Sequence, residues 1–341
     1  MNADELGGIA RALVTDGKGI LAADESSGTM GTRLEQVNVE STEETRRAYR
    51  QMLITTPGMD RFISGVILYD ETIRQGAADG TPFTEVLRRQ RMVPGIKVDT
   101  GAKPLAGSPS EKVTEGLDGL RERLADYREL GARFAKWRAV ITIADDLPSR
   151  RCIEANAHAL ARYAALCQEG GLVPVVEPEV VMDGGHSIER CYEVTAETLH
   201  RVFHELSEQR VEPEHMLLKP NMVLSGKDCP RQAGVEEVAE ATVRCMRATV
   251  PAAVPGVVFL SGGQSDELAS AHLNAINGLG SQPWELSFSY GRALIAAALE
   301  TWRGEEGNVD AAQRVFAHRA SCNGAARCGT YSVDMEKQPV A

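Results

Sequence analysis

Gly171-Leu-Val-Pro-Val-Val-Glu-Pro-Glu179 is apolar for six residues without alternation and then ends in two carboxylates. A strand with one wet face alternates polar and apolar residues, whereas a strand of a parallel sheet covered on both faces does not. Gly65-Val-Ile-Leu-Tyr69 and Gly256-Val-Val-Phe-Leu260 read the same way. Eight such runs occur, over residues 19–23, 64–70, 93–98, 131–140, 171–177, 214–219, 256–261 and 285–290.

The segments between them carry helix signals. Leu199, Val202, Phe203 and Leu206 fall at i, i+3, i+4, i+7, and Ile153, Ala157, Leu160, Ala161 and Ala164 form a second stripe that Gly170-Gly171 closes. Ser41 with Glu44 has the spacing of a capping box. Eight strand–helix units with no Pro- or Ser-rich linker predict an α/β fold, a single (β/α)8 barrel (TIM barrel) with a parallel eight-stranded sheet. Residues 1–331 are expected to form that domain with a short leading helix, and residues 332–341, a polar stretch, a mobile C-terminal tail.

Composition narrows the function. With 37 Lys+Arg against 48 Asp+Glu the formal charge is −11, which opposes binding to nucleic acid or an anionic membrane. The N-terminus has no basic segment followed by an apolar run, so a cytoplasmic protein is expected. The seven cysteines include no CxxC pair, and His200 and His204 lack the HExxH pattern, so neither disulfides nor a catalytic metal is expected. His186 and the acidic pair Asp145-Asp146 read as loop residues.

Charged residues sit where the apolar runs end, which in a (β/α)8 barrel is the rim that builds active sites. They are Asp24, Lys97, Lys136, Arg138, Glu177, Glu179 and Lys219. The period of two points Lys136 with Arg138, and Glu177 with Glu179, to the same side of their strands. Cations converging in an acidic protein imply an anionic substrate, and the carboxylates supply proton-transfer groups. Lys219, held among leucines, is the candidate amine nucleophile toward a ketone, and an imine formed there is an electron sink that needs no metal. Glu177, beside Lys136, suits the acid/base role in imine formation. Asp24 suits removal of the hydroxyl proton at the bond being cut. Ser261-Gly262-Gly263 after the seventh run, and Ser289-Tyr-Gly-Arg292 after the eighth, both lead into helices and are candidate phosphate-binding turns.

At these residues the sequence resembles class I fructose-bisphosphate aldolase. The resemblance is carried by Gly17-Lys-Gly-Ile-Leu-Ala-Ala-Asp-Glu-Ser26, Gly131-Ala-Arg-Phe-Ala-Lys-Trp-Arg138, Val176-Glu-Pro-Glu179, Leu217-Leu-Lys-Pro-Asn221, Phe259-Leu-Ser-Gly-Gly-Gln-Ser265 and Phe288-Ser-Tyr-Gly-Arg292, in that order. It implies a lyase of glycolysis and gluconeogenesis that reversibly splits fructose 1,6-bisphosphate into dihydroxyacetone phosphate and glyceraldehyde 3-phosphate, without a cofactor. It further implies Lys219 as the Schiff-base lysine and Glu177 as its acid/base, with Glu179, Lys136 and Asp24 assisting. By the same resemblance Ser261, Gly262, Gly263, Ser289, Gly291, Arg292 and Arg33 hold one phosphate, and Ser26, Lys97 and Arg138 face the other. Thr29 stands where many relatives have Ser, and the tail lacks the terminal tyrosine that many relatives carry. A homotetramer acting on sugar phosphates is expected. A transaldolase-like or deoxyribose-phosphate aldolase-like barrel, and a catalytically silent scaffold, are the alternatives.

Overall fold

The computed structural model describes residues 3–337. Eight parallel strands close into a barrel: β1 (Gly19–Ala22), β2 (Ile63–Leu68), β3 (Val93–Lys97), β6 (Phe134–Ile141), β7 (Val173–Val180), β8 (Leu217–Leu218), β9 (Gly256–Phe259) and β10 (Glu285–Tyr290). Each pairs with its neighbour in chain order, and β10 returns to β1 through Ile20 opposite Ser289. Seven of the eight apolar runs become strands of four residues or more. The run at 214–219 gives only a two-residue strand, because Pro213–His215 forms a 3-10 turn before it.

Among the described residues, twelve α-helices surround the barrel or extend it: α1 (Ala3–Leu13), α2 (Ser27–Gln36), α3 (Glu43–Ile54), α4 (Asp70–Ile73), α5 (Phe83–Arg89), α6 (Leu120–Glu129), α7 (Arg150–Gly170), α8 (Ile188–Glu208), α9 (Val235–Thr249), α10 (Asp266–Gly278), α11 (Arg292–Trp302) and α12 (Val309–Arg327). No helix among the described residues is long and apolar enough to cross a membrane. An antiparallel hairpin, β4 (Gly101–Leu105) with β5 (Ser108–Glu115), lies between β3 and α6 and was not foreseen. The expected capping box also moves by one residue. Thr42 caps α3 reciprocally with Thr45, while Glu44 turns outward to Arg47 at 2.7 Å.

Two apolar layers hold the barrel. Inside, Ile20, Ile67, Phe134, Val173, Val175, Leu217 and Val258 pack with Leu6, Ala10, Leu13 and Val14 of the leading segment, which plugs the end opposite the strand C-termini. Phe134 reaches across to β3, where a Cβ on Gly95 would lie 2.3 Å from its ring, so only glycine fits there. Outside, the other strand faces pack against the helices in the larger core cluster. With one end plugged by α1, the interior opens only at the carboxyl ends of the strands.

The tail expected after Tyr331 divides. Val333–Lys337 form a 3-10 turn held by Glu336, whose Oε1 accepts the Tyr331 hydroxyl at 2.8 Å and whose Oε2 is paired with Arg319. Residues 338–341 lie outside the described residues.

Candidate active site

A cavity of about 730 Å³ opens at the C-terminal rim of the strands. Fourteen of the fifteen residues singled out from the sequence line it: Asp24, Ser26, Arg33, Lys97, Lys136, Arg138, Glu177, Glu179, Lys219, Ser261, Gly262, Ser289, Gly291 and Arg292. Gly263 stands just behind, where a Cβ would come 3.2 Å from the Arg292 guanidinium. The period-two reading holds: Lys136 and Arg138 on β6 and Glu177 and Glu179 on β7 face this one space, with Arg138 in register with Glu177.

At the floor of the cavity four charges are linked in a line. Lys219, 4% exposed, places Nζ 3.2 Å from Glu177 Oε1. Lys136 Nζ lies 3.3 Å from Glu177 Oε2 and 2.6 Å from Asp24 Oδ2. The backbone fixes the first of these groups, since the Lys219 N–H donates to the Val176 carbonyl at 2.8 Å. Burial alone would keep both carboxyls protonated. It is outweighed at Asp24 by Lys136 and Lys219, and at Glu177 by Lys136, Lys219 and Arg138, so both acids fall below the ordinary carboxylate range and are ionised near neutrality. For Lys136 burial opposes the ammonium, but Asp24 and Glu177 prevail and hold it protonated above its ordinary range. Lys136, gripped by two carboxylates, is a fixed cation. Lys219 has one carboxylate beside it and faces the open cavity.

The rim above carries cations in two groups. Lys97 is bound by Asp99, with Nζ 2.6 Å from Oδ1, and the other Asp99 oxygen accepts the Arg138 backbone N–H at 3.2 Å. Arg138 is paired with Glu179. After β1, Ser26 caps α2 by accepting the Thr29 N–H at 3.3 Å, and Arg33 on the same helix pairs with Glu25. Buried Arg50 on α3 grips that glutamate at 2.6 Å. Asp99, Glu25 and Arg50 escaped the sequence reading. A weak signal existed for Asp99 alone, two residues after Lys97 and hence on its face.

After β9, Gly262 (φ +60°) and Gly263 (φ +91°) are both left-handed, a conformation open to glycine and strained for other residues. Without side chains, these two residues let the backbone of the turn come close to a ligand in the cavity. The turn is braced from behind: Gln264 Nε2 donates to the Ser261 carbonyl at 2.9 Å, and its Oε1 meets buried His272 at 2.5 Å. After β10, Ser289 Oγ is buried in the cavity wall with no hydrogen-bond partner among the described residues, and Arg292 opens α11. A bare glycine turn, an unpartnered hydroxyl and an exposed guanidinium are together a set of donors with the chemistry to hold an oxyanion. His200 and His204, by contrast, lie exposed on α8, as expected, and Asp145-Asp146 lie in an exposed turn.

The family model for class-I fructose-bisphosphate aldolase matches residues 5–341. A probable fructose-bisphosphate aldolase class 1 of Xanthomonas campestris pv. campestris is 59% identical over 332 residues, covering 97% of this chain and 99% of its own. The fructose-bisphosphate aldolase of Dictyostelium discoideum is 55% identical, with 97% and 93% covered. Among solved structures, a fructose-bisphosphate aldolase from Plasmodium falciparum, crystallised with TRAP and a small-molecule inhibitor, superposes with a TM-score of 0.96 at 49% identity, with 97% of each chain covered.

Proposed function

This chain belongs to the class-I fructose-bisphosphate aldolases, lyases of glycolysis that reversibly cleave fructose 1,6-bisphosphate, and we propose that it acts through a Schiff base on Lys219. The observation that carries the residue assignment is the buried line Lys219–Glu177–Lys136–Asp24 at the floor of a cavity whose rim is cationic.

The steps follow from the distances. Glu177, ionised and 3.2 Å from Lys219 Nζ, accepts a proton as the amine attacks the ketone. Counted from the Lys219 ammonium, the nitrogen loses two protons; Glu177 relays both to the carbonyl oxygen, which leaves as water, and the product is a cationic imine. That imine draws electrons from the bond between the carbons α and β to it, so that the α carbon becomes part of an enamine. Asp24 takes the proton of the hydroxyl on the far carbon, the bond breaks, and the aldehyde departs. The enamine left on Lys219 is protonated at carbon and hydrolysed to release dihydroxyacetone phosphate. Lys136 holds both carboxylates in place throughout, and Glu179 keeps Arg138 directed along the rim. Ser261, Gly262, Gly263, Ser289, Gly291, Arg292 and Arg33 receive the phosphate of the ketone half, and Ser26, Lys97 and Arg138 that of the aldehyde half. Two cationic groups on opposite sides of the nucleophile favour a bisphosphate over a substrate with one phosphate.

The same reading makes residues 1–331 one catalytic domain ending in a short tail, acting on small sugar phosphates rather than on nucleic acid or membrane. It extends to a homotetramer, by the family resemblance, and to the cytoplasm, since a 53% identical relative in Arabidopsis thaliana is named a cytosolic aldolase.

A coupled assay of fructose 1,6-bisphosphate cleavage after exhaustive EDTA dialysis tests the chemistry. Full turnover is expected, because the imine performs the polarisation a metal would. Loss of turnover restored by a divalent ion would contradict it. Arg292→Ala tests the phosphate turn. The side chain is exposed in the unliganded rim, so its contact is partly solvated and the expected loss is about 1–2 kcal/mol, roughly five- to thirtyfold in KM with kcat little changed. An unchanged KM for the bisphosphate would remove Arg292 from the site.

A further inference from the structure

Away from the barrel mouth, α12 and the C-terminal turn bring an imidazole, a thiol and a carboxylate together. His318 and Cys322 are four residues apart on α12 and therefore on one face. Cys322 Sγ lies 3.7 Å from His318 Nε2, and that nitrogen lies 3.9 Å from Glu336 Oε2 in the Val333–Lys337 turn. The three ligand atoms all fall within 4.8 Å of one another, and among the described residues this is the only group of three or more such side chains so placed. We propose that His318, Cys322 and Glu336 are a binding site for a thiophilic divalent cation, zinc being the probe of choice, which fastens the C-terminal turn to α12.

The geometry is close to what the ion requires. Zinc bonds of about 2.0 Å to nitrogen or oxygen and about 2.3 Å to sulfur put tetrahedral ligands roughly 3.3–3.6 Å apart. Sulfur to imidazole nitrogen at 3.7 Å is within about 0.2 Å of that, whereas His318 to Glu336 at 3.9 Å is about 0.6 Å too long, so the carboxylate must swing toward α12 for all three to close on an ion. Thiolate and imidazole with a single carboxylate favour zinc or cobalt(II) over magnesium or calcium, which take oxygen ligands. Cys322 is fully buried, and burial pushes its thiol up to about 11. The His318 and Glu336 side chains keep 18% and 15% of their surface exposed, so an ion can reach the group from solvent.

Arg319 is the competitor, since its Nη1 pairs with the same Glu336 oxygen. Its Nη2 is anchored separately, to the Asp266 carbonyl at 3.0 Å and Ser270 Oγ at 2.8 Å, so it keeps partners on α10 when Glu336 turns to the ion. The Tyr331 hydroxyl donates to the other Glu336 oxygen and orients the carboxylate. None of the three ligands lines the active cavity, so the ion has no part in cleavage and its removal by chelator leaves turnover intact.

The test is zinc titration of the reduced, chelator-treated full-length protein by calorimetry, with cobalt(II) as a spectroscopic probe. One zinc per chain is expected, together with a thiolate-to-cobalt charge-transfer band and greater protection of the C-terminal turn against proteolysis. Cys322→Ser and Glu336→Gln should each weaken zinc at least tenfold while keeping aldolase turnover, which reports that the barrel is folded. Cys328→Ser, at the exposed cysteine, should change nothing. Three results would overturn the proposal: no stoichiometric binding, binding or a cobalt band that survives Cys322→Ser, or affinity unchanged in Glu336→Gln.

Discussion

Replacing Lys219 by Met should leave a folded barrel in which cleavage of fructose 1,6-bisphosphate falls by at least about 10⁴-fold, on the order of 5 kcal/mol in barrier. Methionine matches the lysine stem in length and fits the same apolar walls, so packing is kept. Removing one member of a buried ion pair is costly when it strands the other charge, but here Glu177 keeps Lys136 at 3.3 Å. A melting temperature within roughly 5 °C of the parent is therefore expected. What disappears is the electron sink. No other cation at the floor can replace it, because Lys136 is already committed to Asp24 and Glu177. Steady-state turnover together with thermal melting checks this, and a well-folded variant that retains more than a hundredth of parental activity would contradict it.

Glu177→Gln should have the second largest effect. The amide keeps the size of the side chain and can still accept a hydrogen bond from Lys219, but it cannot carry protons between nitrogen and oxygen. General acid–base catalysis of this kind contributes about 10²–10⁴-fold, and kcat should fall by that amount while KM for the bisphosphate changes far less, since the phosphate turns are untouched. The rate at which dihydroxyacetone phosphate becomes trapped on the enzyme should fall in parallel. Slow turnover with trapping at the parental rate would move Glu177 from imine formation to a later step.

The barrel was legible because strands buried on both faces leave an unbroken apolar record, and eight such runs separated by helix signals admit few architectures. The hairpin β4–β5 left no such record. Its residues are largely exposed and polar, and Lys103, Pro104 and Lys112 read as loop. The helix cap at Thr42 was displaced from the expected Ser41 because two threonine hydroxyls satisfied the backbone while Glu44 found Arg47. Sequence periodicity scores spacing and cannot see which partner wins.

In the site, period two predicted which side chains of β6 and β7 share a space, and strand ends predicted that the space is the rim. Counter-ions were harder. Asp99 binds Lys97 and the Arg138 backbone, and Arg50 reaches Glu25 from another helix, contacts set by tertiary placement rather than by pattern. The same holds for the cluster on α12: the His318/Cys322 spacing is visible in the chain, but Glu336 joins it only because the chain turns back after Tyr331. A tail read as polar and unattached thus has a buried arginine waiting for its one inward carboxylate.

The most direct test of the central assignment is reduction with borohydride in the presence of dihydroxyacetone phosphate, followed by peptide mapping by mass spectrometry. An imine reduced in place becomes a stable secondary amine, so the enzyme should lose activity in step with the appearance of one adduct per chain on the peptide that contains Leu217-Leu-Lys219. Lys219→Met should show no adduct under the same conditions. Labelling of Lys136, Lys97 or any other lysine in place of Lys219, or full activity after treatment, would contradict the account.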